Sequence, residues 1–192
     1  MSVVKHKDQR VAIFIDTQNL YHSAKNIYRS KVNFGAVVKR ALGDRELIRA
    51  VAYVVTTETG EEQSFFEALG KIGIEVKTKD LQIFFGGAKK ADWDVGLAVD
   101  AIKLSSKVDA IVLATGDGDF VPLAEYVRSQ GCQVECISFG KSSSSRLRET
   151  VDDFIDMDES PREFLIGYRG APQTRGRKPM KRVVGTDTDE MH

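Results

Sequence analysis

The chain has 192 residues, 42% hydrophobic and 29% charged, enough for one sizeable core and short for two packed domains. With 28 basic and 28 acidic residues its formal net charge is zero, so no global field announces nucleic acid or a membrane, and any such contact must come from uneven distribution. Two cysteines, Cys132 and Cys136, are too few for a disulfide framework or a four-ligand zinc site and read as buried thiols; no apolar run matches a leader peptide or a membrane span, which points to a cytoplasmic protein without membrane contact.

Residues 1–10 are polar and read as a flexible N-terminus. Val11-Ala12-Ile13-Phe14-Ile15 is then an unbroken apolar run ending on Asp16, the pattern of a strand buried on both faces. Asp16-Thr17-Gln18-Asn19 leads at once into helical spacing over Leu20 to Ile27. Phe34 to Leu42 reads as a short helix closed by Gly43, and Leu47 to Val55 as a further apolar strand ending in Thr56-Thr57. Glu61 to Ile72 has apolar positions at Phe65, Phe66, Leu69 and Ile72, a core-facing helix stopped by Gly73. Ile74 to Lys77 and Leu81 to Phe85 are short strand candidates, the second leading into a flexible basic loop that contains Lys89 and Lys90.

Asp92 is placed to cap the next helix, whose expected buried stripe is Val95, Ala98, Val99 and Ile102. Ile111 to Ala114 follows, a wholly apolar strand ending in Thr115-Gly116-Asp117-Gly118-Asp119. Phe120 to Gln130 reads as a helix with Pro122 tolerated in its first turn, and Gln133 to Phe139 as a further strand. The serine-rich loop 140–146 comes next, then a closing helix or edge strand over Leu147 to Met157 and a last packed piece over Glu163 to Tyr168. Residues 169–192 open with six Lys or Arg by position 182 and no acid in that stretch, a disordered basic tail able to tether nucleic acid. Strands alternating with helices imply one α/β domain, a doubly wound, mostly parallel sheet with helices on both faces.

In such sheets ligands bind outside the carboxyl ends of the strands, where the chain order reverses. Two strand ends and one helix start deliver Asp16, Asn19, Asp94, Asp117 and Asp119 to that rim. Like-charged carboxylates ~4 Å apart cost on the order of 4 kcal/mol per pair at an effective dielectric near 20, so the cluster calls for protons or cations. Oxygen donors without histidine or thiolate select Mg²⁺ or Mn²⁺. On this reading Asp16, Asp94, Asp117 and Asp119 hold metal, Asn19 orients a water or phosphate, and activated water hydrolyses a phosphodiester.

Each acid also has a plainer role: Asp16 and Asp119 stand where helix N-caps belong, Asp100 reads as a solvated or structural acid, and Asp117 has the weakest such alternative. Other chemistries fail on spacing. Gly140-Lys141-Ser142 imitates the end of a phosphate-binding loop, but Glu135 stands where its first Gly belongs; Val121 replaces the third Gly of a dinucleotide fingerprint. Gln18 stands where a phosphoaspartyl hydrolase needs a second Asp, and His6, His22 and His192 offer no triad or zinc spacing.

Asp16-Thr17-Gln18-Asn19, Ala91 to Asp100 and Thr115 to Leu123, in this order, resemble the NYN domain family, specifically its LabA-like bacterial branch within the PIN-like nucleases. The resemblance runs from about Val11 to about Asp156. It implies a PIN-like doubly wound fold, a metal-dependent nuclease usually acting on RNA, and an acidic site on Asp16, Asp94, Asp117 and Asp119 with Asn19 as polar partner. The branch also includes regulatory proteins, so a non-catalytic regulator binding RNA, a nucleotide or a protein through the same pocket stands as the alternative, and a phosphatase on small esters as a third. Lys89, Lys90, Lys141, Arg146 and Arg148 flank the expected rim and could follow the phosphates of single-stranded RNA, with Trp93 stacking on a base. Edge strands and helix faces leave room for a homo-oligomer.

Overall fold

The computed structural model describes residues 3–56, 63–80, 82–83, 89–90, 93–168 and 170. Six strands form one parallel sheet: β1 (Arg10–Asp16), β2 (Glu46–Thr56), β3 (Glu75–Asp80), β4 (Ala110–Ala114), β5 (Gln133–Ser138) and β6 (Asp153–Asp156), in the order β3-β2-β1-β4-β5-β6. The chain winds outward from β1 to β3 and then crosses back to lay β4 on the other side of β1. The reversal therefore falls between the two most apolar strands.

Those strands are apolar throughout because both faces are covered. Val11, Ile13 and Ile15 pack on one side with Leu20 and Ala24 of α1 (Thr17–Tyr28), Val37 and Ala41 of α2 (Phe34–Leu42) and Leu69 of α3 (Gln63–Lys71). Ala12, Phe14, Ile111 and Leu113 face the other way, toward Leu97 and Ala101 of α4 (Asp94–Ser105), Val127 of α5 (Val121–Ser129) and Leu147 of α6 (Ser145–Thr150). After β6 a short helix, α7 (Pro161–Phe164), leads into Leu165–Ile166, which pairs antiparallel with Lys31–Val32. Thus the segment from Leu147 supplies both a helix and an edge strand. Ahead of β1 the chain is held, since Lys5 Nζ pairs with Glu135 and Asp153.

Two expectations about helix faces are corrected. In α4, Val95 is 73% exposed, Val99 41% and Ile102 40%, while Leu97 and Ala101 are buried. The helix is apolar on both sides; Asp100 decides its rotation, because it accepts a hydrogen bond from Tyr53 Oη at 2.7 Å and an ion pair from Lys77 Nζ at 2.6 Å. In α3, Leu69 is buried and Phe65 and Phe66 half buried, but Ile72 lies beyond the helix end and is exposed. Lys89–Lys90 forms a two-residue strand antiparallel to Gln82–Ile83 rather than open loop; the rest of that loop, the expected cap Asp92 and the basic tail lie outside the described residues. Cys132 and Cys136 are buried free thiols, and burial raises the Cys136 thiol to about 12.

Candidate metal centre

Asp16 ends β1 and begins α1. Its Oδ1 accepts from the Asn19 N–H at 3.1 Å, the N-cap bond that a short acid at this position supplies. Its Oδ2 accepts from the Thr115 hydroxyl at 3.1 Å, across the gap between β1 and β4. Thr115 Oγ1 in turn accepts from the Asp117 N–H at 3.2 Å, and Asn19 Oδ1 accepts from the Gly116 N–H at 2.8 Å. The two strand ends are thereby laced together, and Asn19 holds the Gly116 turn through its side-chain oxygen. Gly116 is required by space as well: a Cβ there would lie 2.7 Å from Ser143 Oγ and 2.9 Å from the buried Ser138 Oγ.

Asp117 opens a 3-10 turn over Gly118–Phe120, with its side chain accepting from the Asp119 N–H at 3.0 Å. The capping role expected of Asp119 thus belongs to Asp117, and Asp119 projects from within the turn, exposed. Asp94 starts α4, whose preceding residue, Trp93, makes no side-chain capping bond. Trp93 is fixed otherwise: its Nε1–H donates to the Val54 carbonyl at 3.0 Å, and its ring meets Tyr53 edge-on at 5.3 Å. A Cβ on Gly96 would stand 2.6 Å from the Trp93 ring, so Gly96 is what lets the indole lie against the helix.

A cleft of about 190 Å³ collects these groups, lined by Asp16, Gln18, Asn19, Tyr53, Trp93, Asp94 and Asp117. Asp94, Asp117 and Asp119 each place a carboxylate oxygen within 4.8 Å of the other two. Opposite ligands of an octahedral Mg²⁺ lie about 4.2 Å apart, so small side-chain rotations close this set around a cation. Asp16 lies beside the triad rather than in it. Burial chiefly raises its pKa, and the Asp117 charge adds to this, against the bonds from Asn19 and Thr115 that favour the ionised form.

Lys141, Arg146 and Arg148 each have another partner in the fold. Lys141 Nζ sits 3.2 Å from Tyr28 Oη and over the Tyr28 ring, at the far end of α1 from Asp16; that helix has 12 residues, a span of roughly 18 Å. Arg146 is 3.8 Å from Glu125, and Arg148 lies over the Phe154 ring at 5.7 Å. Lys89 and Lys90 have side chains outside the described set. Of the residues expected to meet nucleic acid, Trp93 lines the cleft. Tyr53 and Thr115 escape a reading of the sequence because each sits in or at the end of an apolar strand. For Thr115 the available signal is a hydroxyl, wholly buried, where the apolar run gives way to glycine.

A three-layer parallel domain with carboxylates gathered where its strand order reverses has the architecture of the PIN-like domains. The NYN domain model matches residues 10–158, and the chain belongs to that family, a branch of the PIN-like nucleases. It is similar to the low amplitude and bright protein LabA of Synechococcus elongatus, 27% identical over 164 residues that cover 80% of this chain and 86% of LabA. It is also similar to the crystal structure of a protein of unknown function from Vibrio parahaemolyticus, with a TM-score of 0.76 and 29% identity over 85% of this chain and all of that one.

Proposed function

We propose that this NYN domain is a ribonuclease that cleaves RNA phosphodiester bonds at a Mg²⁺ or Mn²⁺ centre, acting in the cytoplasm. The observation that carries the reading is the convergence of Asp94, Asp117 and Asp119 within 4.8 Å, from two separate segments, at the rim where such folds bind their ligands. These three residues would hold the cation, with Asp16 adjacent; when bound, it supplies charge to the phosphoryl oxygens and makes a water more acidic.

The chain's own groups set the rest. Thr115 and Asn19 fix the ends of β1 and β4, and with them the backbone that carries Asp16 and Asp117. Trp93 presents a half-buried ring at the cleft wall, suited to stacking a base next to the phosphate under attack. A cleft of about 190 Å³ that opens on the rim takes one nucleotide of a longer strand, with the remainder running over the surface.

Titration with Mn²⁺ by calorimetry tests the centre, and a polymer-against-monomer comparison tests the substrate. A site present in the parent and lost in Asp117→Asn, with RNA cleaved and small phosphate esters untouched, supports the reading. Metal binding indifferent to Asp117→Asn contradicts it, and turnover of small esters alone makes the protein a phosphatase. RNA binding without cleavage in any metal favours a regulator.

A further inference from the structure

Between Asp16 and Asp44 the sequence contains no acid, while Lys25, Arg29, Lys31, Lys39 and Arg40 fall within those residues. The fold turns part of this bias into a surface. Gln18 lines the metal cleft, and residues spaced three or four apart from it along α1, Tyr21, Lys25 and Arg29, continue as one exposed stripe away from the cleft. Beside that stripe a shallow groove of about 470 Å³ is lined by Tyr21, Lys25, Arg29 and Lys31. Lys25 Nζ lies over the Tyr21 ring at 5.4 Å, and Tyr21 is 42% exposed. Among the described residues no acid pairs with Lys25, Arg29 or Lys31; Asp158, on the flank, is engaged by Tyr28 Oη and the Lys141 N–H.

Arg29 also differs from its neighbours in backbone conformation. It closes α1 with φ 54° and ψ 33°, the left-handed conformation that helix ends normally give to glycine, and is the one described non-glycine residue with positive φ. A non-glycine residue is disfavoured there, so Arg29→Gly removes the cation without straining the helix end.

We infer that this face of α1 is the path by which single-stranded RNA reaches the metal centre, with Lys25, Arg29 and Lys31 on phosphates and Tyr21 under a base. The inference rests on the nuclease reading and names its substrate track. From Gln18 to Arg29 the helix rises roughly 16 Å, which is about five stacked nucleotides. An exposed aromatic ring among cations with no acid between them is the pattern by which single strands are held without sequence preference.

The test measures anisotropy of a labelled single-stranded RNA in EDTA, so that binding is read without cleavage, for the parent, Lys25→Ala/Arg29→Gly/Lys31→Ala, Lys107→Ala and Asp117→Asn. Thermal unfolding confirms that each is folded. The triple variant is expected to bind at least tenfold more weakly, with a log–log salt slope smaller by about 2, near 0.7 for each charge removed. Lys107→Ala is expected to bind as the parent does, and Asp117→Asn, which removes one carboxylate charge from the metal-free cleft, at least as tightly. A triple variant that binds like the parent while the parent cleaves RNA overturns the track and leaves the nuclease reading standing. A parent that neither binds nor cleaves RNA overturns both, and equal affinity for polyglutamate makes the surface a docking face for an acidic protein instead.

Discussion

Asp16 shows how one carboxylate can serve the fold and the site at once. Its two oxygens cap α1 and tie β1 to the β4 turn, yet burial disfavours its charge. The folded state therefore holds the Asp16 proton more tightly than the unfolded chain does, so this group stabilises the protein least once the pH has risen through its raised pKa. Asp16→Asn keeps a cap acceptor and removes the charge. It is expected to raise the melting temperature at pH 7.5 without metal, to change it little at pH 4, and to lose cleavage; a variant melting lower at pH 7.5 would contradict this. Asp16 was legible in the sequence because it terminates an unbroken apolar run. Its partner Thr115 was not, since a hydroxyl's bond across two strands depends on which strands become neighbours.

Helix α4 illustrates what periodicity leaves open at the scale of an element. Val95, Val99 and Ile102 define one apolar stripe and Leu97, Ala101 and Leu104 another, and spacing alone does not choose between them. The choice is made by Tyr53 and Lys77, which draw Asp100 toward β2 and β3 and turn the second stripe onto the sheet. Leu97→Ala is accordingly expected to cost about 2–5 kcal/mol, and Val99→Ala less than about 1 kcal/mol. Urea unfolding distinguishes them; comparable losses would mean that the outer stripe is covered. The partners of the basic residues around the rim were hidden for a related reason. Lys141 rests on Tyr28, a ring far away in sequence, whereas the cationic face of α1 is local but lacks an alternating pattern to mark it.

Across the whole molecule, the α/β class and the rim position of the acids were readable, because a strand buried on both faces has to be apolar and its polar terminus has to lie at the sheet's edge. The order of the strands was open until pairing fixed β1 beside β4. A buried charge network at Glu135 was missed. Glu135 is fully buried within β5 and is met by Arg45, from the turn before β2, and by Lys5, from ahead of β1. These contacts join the N-terminal segment and the α2–β2 corner to the second half of the sheet. Arg45→Ala leaves the Glu135 charge buried with Lys5 and Gln133 as partners and is expected to cost about 3–5 kcal/mol. Thermal and urea unfolding that matched the parent would show the network to be dispensable.

The function of the carboxylate rim is decided by whether it performs metal-dependent hydrolysis of RNA. The most direct measurement incubates end-labelled single-stranded RNA and matched DNA with the protein in Mg²⁺, Mn²⁺ or EDTA, beside Asp117→Asn purified in the same way. The expected result is RNA shortened by the parent in either metal, intact in EDTA, and intact with the variant under every condition. RNA left whole by both proteins, or cut equally by both, would contradict the assignment of these aspartates to a nuclease centre.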